Sequence, residues 1–142
     1  MRGRTLVNDG HAGNAIALLG QRDEPTDGVE DYCHYLGLGL AKFGWTLESV
    51  RVPWPQQGWR TTLNWLWREA RPWRGRWVLV QYTALAWSGR AVPLGLLAAL
   101  WILQRRGARC VVVFHDVPYS GNRWMDRLRR SLQIRIMRAD YR

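Results

Sequence analysis

Four short apolar runs alternate along this chain with four stretches whose apolar residues recur every three or four positions. The runs, Ala15 to Gly20, Thr46 to Val52, Trp77 to Thr83 and Arg109 to Phe114, suit strands. The stretches between and after them, Gly28 to Phe43, Trp59 to Arg71, Pro93 to Arg106 and Asn122 to Arg138, suit amphipathic or buried helices. Parallel neighbours need a long return, which a helix supplies, so this alternation predicts a parallel sheet with right-handed crossovers. The expected fold class is therefore α/β, a Rossmann-like parallel sheet flanked by helices. With 142 residues, 47% of them hydrophobic, the chain has room for one domain with a real core. Residues 1–14 carry Gly3, Gly10 and Gly13 without a sustained period and read as a loose extension, leaving residues 15–142 as the domain.

Local signals place the element ends. Val29, Tyr32, Cys33, Leu36, Leu40 and Phe43 form the stripe of the first helix, with Thr26 or Asp27 as its cap and Gly44 at its carboxyl end. Pro53 and Pro55 close the second strand. The second helix puts Trp59, Leu63, Leu66, Trp67 and Ala70 on one side, and Gly107 stops the third. The longest apolar run, Ala91 to Leu103, holds Pro93 and Gly95 and is too short to span a bilayer, so it reads as a core helix. The Met1 end lacks the apolar segment of a signal peptide. Cys33 and Cys110 form no CxxC and have no metal-ligand spacing, which fits two structural thiols in a reducing cytoplasmic setting and implies no metal.

In an open α/β sheet, ligands sit beyond the carboxyl ends of the strands. Three stretches fall there. Val111-Val112-Val113-Phe114 runs into His115 and Asp116, a titratable pair at a strand end; the histidine can exchange a proton with a hydroxyl, and the acid can orient it or cap the next helix. Asp27-Gly28-Val29-Glu30 lies at the start of the first helix, where backbone N–H groups meet phosphates, although a plain capped helix start has the same composition. It is not GxGxxG, so a dinucleotide site is not supported. Gln81-Tyr82-Thr83 ends the third strand with polar groups at the same edge, or simply satisfies its own backbone.

In this order and spacing, four segments resemble the amino-terminal half of a GT-B glycosyltransferase, of the large retaining family that includes sucrose and mannosyl transferases. They are Asp27-Gly28-Val29-Glu30 with Tyr32, Leu40-Ala41-Lys42-Phe43-Gly44-Trp45, Leu79-Val80-Gln81-Tyr82, and Val112-Val113-Phe114-His115-Asp116. The family shows a Gly-Gly-Val/Ala turn before the first helix, Ala-x-x-Gly-His before the second strand and Leu/Phe-His-Asp ending the fourth. The resemblance covers residues 15–142 and implies one half of a GT-B fold, the acceptor-binding domain. It implies Asp27 and Gly28 at the cleft beside the donor diphosphate, His115 close to the reacting sugar as the catalytic candidate, and Tyr82, Thr83 and Asp116 on the acceptor. The donor would be a nucleotide-sugar, with no cofactor and no metal. Asp27 departs from the family, whose first glycine it replaces, and sets a carboxylate near an anionic donor. The donor-binding carboxy-terminal domain with its Glu-x₇-Glu signature is not among these residues, so the chain alone is expected to be inactive. A non-catalytic acceptor-binding subunit of a split glycosyltransferase is the alternative. Because the resemblance implies transfer on one face, assisted by the donor phosphate, His115 would position and hydrogen-bond the acceptor rather than act as an obligatory base.

The net charge of +10 is uneven. Residues 1–58 hold five Lys or Arg against seven Asp or Glu, and residues 59–142 hold sixteen, all Arg, against four. Trp59, Trp65, Trp67, Trp73 and Trp77 interleave with Arg60, Arg68, Arg71, Arg74 and Arg76, and the last helix sets Trp124, Leu128 and Leu132 opposite Arg123, Arg127 and Arg130. Basic amphipathic helices with interfacial aromatics fit an anionic membrane surface, which predicts a peripheral protein on the inner face of the membrane. The same composition also arises when one helix face packs on the sheet and arginines solvate the other. A basic nucleic-acid-binding domain is the competing class, but no nucleic-acid motif is present and the aromatics fall on helix stripes expected to be core, so nucleic acid is not favoured.

Overall fold

A computed structural model describes residues 12–21, 27–83, 86–87 and 94–115. The expected fourth helix, Asn122 to Arg138, and the candidate Asp116 lie outside the described residues. Within them the order is β1 (Gly13–Leu19), α1 (Gly28–Ala41), β2 (Trp45–Arg51), α2 (Trp54–Glu69), a 3-10 turn (Arg71–Trp73), β3 (Trp77–Tyr82), α3 (Leu94–Arg105) and β4 (Arg109–Phe114). All strand pairs are parallel, in the order β2-β1-β3-β4. The chain is a Rossmann-like α/β domain, as its alternating pattern predicts.

Two departures have local causes. β1 begins at Gly13, two residues before the expected start, because Gly13 and Asn14 pair with Trp45 and Thr46 of β2 despite their weak strand propensity. The segment α2 starts with an extra turn at Trp54, where Pro55 sits because a missing N–H costs nothing in a first turn; Gly58 at φ 73°, ψ 160° is non-helical and breaks the segment, so the continuous helix starts at Trp59, as its periodicity predicts.

The sheet's two faces follow from its register. Leu19, Gln81 and Val113 are aligned across β1, β3 and β4, and alternation puts Ala17, Leu79 and Val111 on the same side. α1 covers part of that side, packing Cys33 and Val29 against Ala17, Leu19 and Leu47. The opposite side, with Ile16, Leu18, Val78, Val80 and Tyr82, is buried under α2 and α3 in the main core with Leu66, Ala70, Trp73, Leu96 and Leu103. Trp67, expected on the packed stripe of α2, is 39% exposed instead, since the buried line runs through Thr62, Leu66 and Ala70. No helix among the described residues is long and apolar enough to cross a membrane.

Candidate functional site at the carboxyl rim

β2 and β3 lie on opposite sides of β1, so the topological switch point falls between the carboxyl ends of β1 and β3. That crevice is filled on the α2–α3 side. Ala86 accepts hydrogen bonds from Gln21 N (2.6 Å) and Trp54 Nε1 (2.8 Å), and Trp87, fully buried, donates its indole N–H to Gln81 O (2.6 Å). Gly20 makes this close approach possible, because a Cβ there would stand 2.3 Å from the Ala86 carbonyl oxygen. Trp54, Trp59 and Trp87 stack behind the crossing, with ring centroids 5.5 and 6.3 Å apart.

On the α1 side the rim is polar. His115 follows β4 and extends its ladder by one bond, donating its N–H to Tyr82 O (3.0 Å). Its Nε2 stands 2.7 Å from Gln81 Oε1. Gln81 is nearly fully buried, and its amide nitrogen donates to Leu79 O (3.2 Å). That bond turns the amide so that its oxygen faces the imidazole, which makes Nε2 the protonated, donating nitrogen. Tyr32, from the second turn of α1, meets the imidazole edge-on with centroids 5.0 Å apart. Three elements thus converge on one half-buried histidine.

At the start of α1, Asp27 is the N-cap. Its Oδ1 accepts from Glu30 N (3.1 Å), and its Oδ2 pairs with Arg51 Nη2 at 2.7 Å. Arg51 leaves the end of β2, also reaching Glu30 (3.0 Å) and Gly20 O (3.0 Å). The carboxylate is therefore spent on a helix N–H and a guanidinium, a capped and neutralised start that a diphosphate would have to share. Gly28 is exposed, and a Cβ on it would enter open space.

The expected site residues separate accordingly. His115, Asp27 and Gly28 all stand at the carboxyl rim, with His115 gathered to Gln81 and Tyr32. Tyr82 gives the rim its carbonyl, while its ring is buried in the α2–α3 core edge-on to Phe114 (5.4 Å). Thr83 is half-buried at the strand end. Gln81, which sequence reasoning set beside Tyr82 and Thr83 without distinction, is the member on the histidine's face; β3 is apolar on both sides, so period-2 alternation carries no signal there. The Asp27–Arg51 pair joins residues 24 apart and has no local signature. Among the described residues no group of His, Cys, Asp or Glu could hold a metal ion. Comparison of the chain with protein families, curated proteins and solved structures gives no match.

Proposed function

We propose that this chain is the acceptor-side domain of a GT-B glycosyltransferase, working at the cytoplasmic side of a membrane and transferring a sugar from a nucleotide-sugar to a hydroxyl acceptor. One observation carries this reading: a histidine at the end of β4, fixed by a buried glutamine on one side and a tyrosine edge on the other, at the rim where ligands of open α/β sheets lie. Such a ring, oriented before substrate arrives, holds a hydroxyl in line with a donor and lowers the entropic cost of reaction. The start of α1 is already capped by Asp27, which supports assigning the donor's phosphates mainly to a second, donor-binding domain, on the same chain or on a partner as in a split enzyme.

The test is sugar transfer by an enzyme containing both halves. His115→Ala is expected to lower kcat about 100-fold or more with cooperative unfolding retained. Wild-type turnover in that variant would remove His115 from the site, and absence of transfer from any nucleotide-sugar donor would sink the enzymatic reading.

A further inference from the structure

The described residues gather positive charge at the end of the sheet opposite the rim. α2 and α3 both run against the strands, so their carboxyl ends meet there. Gly75 N donates to Gly107 O (2.8 Å), and Arg74 lies against Gly107. Arg71, Arg74, Arg105 and Arg106 are thereby brought to one pole, where Glu69 is the one carboxylate in the last turns of the two helices. Arginines at helix carboxyl ends complement the helix dipole, and that explains the charge. It does not explain the indoles. Trp67 and Trp101 are 39% and 54% exposed, stand together with centroids 6.4 Å apart, and carry the Arg106 and Arg105 guanidinium groups over their rings at 3.8 and 5.1 Å. Two clustered tryptophans left in water, ringed by cations, mark an interaction surface rather than incomplete packing.

We infer that this pole docks on the headgroup layer of a membrane containing anionic phospholipid. Arginine forks match lipid phosphates, and indoles settle at the boundary between headgroups and acyl chains. Single-stranded nucleic acid is the poorer fit: its binders offer open aromatic faces for base stacking, whereas here a guanidinium already covers a face of each ring. The docking stands without the sugar-transfer reading, and it leaves the carboxyl rim, at the other end of the sheet, uncovered.

The test is co-sedimentation of the full chain with phosphatidylcholine vesicles, with and without about one-third phosphatidylglycerol, at physiological ionic strength. The chain is expected to sediment only with the anionic vesicles. At roughly fivefold per arginine, Arg71→Gln/Arg74→Gln/Arg105→Gln should lower the partition coefficient about 100-fold, while Arg60→Gln, on the amino-terminal half of α2, changes it little. Trp101→Ala should weaken binding with the charge intact, and a cooperative thermal melt checks that each variant is folded. Undiminished binding by the triple variant overturns the proposal. So does binding lost only when Arg123, Arg127 and Arg130 are replaced, or a shift of single-stranded RNA that the triple variant abolishes while vesicle binding persists.

Discussion

Among the described residues, fifteen buried hydrophobic residues including Trp73 and Trp87 seal the sheet under α2 and α3, whereas the buried cluster under α1 consists of Ala17, Leu19 and Cys33. Both faces lie on the same four strands, yet among the described residues it is the thin one that brings acidic, basic and imidazole side chains together at the carboxyl rim. The difference shows how the domain divides its work. The tryptophan-rich face closes the switch-point crevice and holds the strand ends still; the α1 face spends its polar residues on His115, Gln81, Asp27 and Arg51. If so, damage to the thick face should cost the fold, and damage to the thin one should cost geometry at the rim.

The largest effect is expected at Trp87. Its ring is fully buried, stacks toward Trp59 and donates to Gln81 O, so Trp87→Ala removes a large apolar side chain together with the partner of a buried carbonyl. A loss of about 3–5 kcal/mol in denaturant unfolding follows, enough to unfold many domains of this size. A loss below about 1 kcal/mol would mean that the thick face does not secure the rim, and the contrast between the faces would collapse.

Trp87 also shows where the sequence stops being legible. β4 was readable to the residue as Arg109 to Phe114, and α1 to its first residue at Gly28, because a β-branched run and an Asp-Gly helix start are local signals. His115 at a strand end was equally visible. What fills the crevice was not: Ala86 reaches Gln21 and Trp54, and Arg51 reaches Asp27, through contacts between residues far apart in the chain that no periodicity encodes. Trp67 departs from its helical stripe for a related reason. A helical stripe says which residues share a side, but only tertiary packing decides how far around the helix burial extends.

On the thin face a smaller effect is tied to pH. Burial, and then the Asp27 carboxylate, push the Cys33 thiol up from 9.0 to about 11, with Arg51 pulling the other way and Glu30 adding to the rise. The unfolded chain thus loses its thiol proton before the folded one does, and stability present below pH 9 declines as pH rises toward 11. The decline should reach about 2 kcal/mol at pH 11, measured as the difference between wild type and Cys33→Ala, which cancels other groups titrating in that range. Curves for the two proteins that stay parallel from pH 8 to pH 11 would mean that the thiol is not sealed beneath α1.

The smallest effect bears most directly on the rim. If α1 orients the histidine, Tyr32 and His115 must interact beyond their separate packing, and an edge-on pair with centroids 5.0 Å apart is expected to couple by about 1 kcal/mol. The cycle of Tyr32→Ala, His115→Ala and the double variant measures that coupling in denaturant unfolding. Tyr32→Ala should be mild, because Tyr32 is 42% exposed, whereas His115→Ala also takes the donor from the buried Gln81 oxygen and should cost about 1–3 kcal/mol, still below the cost at Trp87. A coupling indistinguishable from zero would mean that Tyr32 does not orient the ring, and that the 2.7 Å contact of Nε2 with Gln81 stands without help from α1.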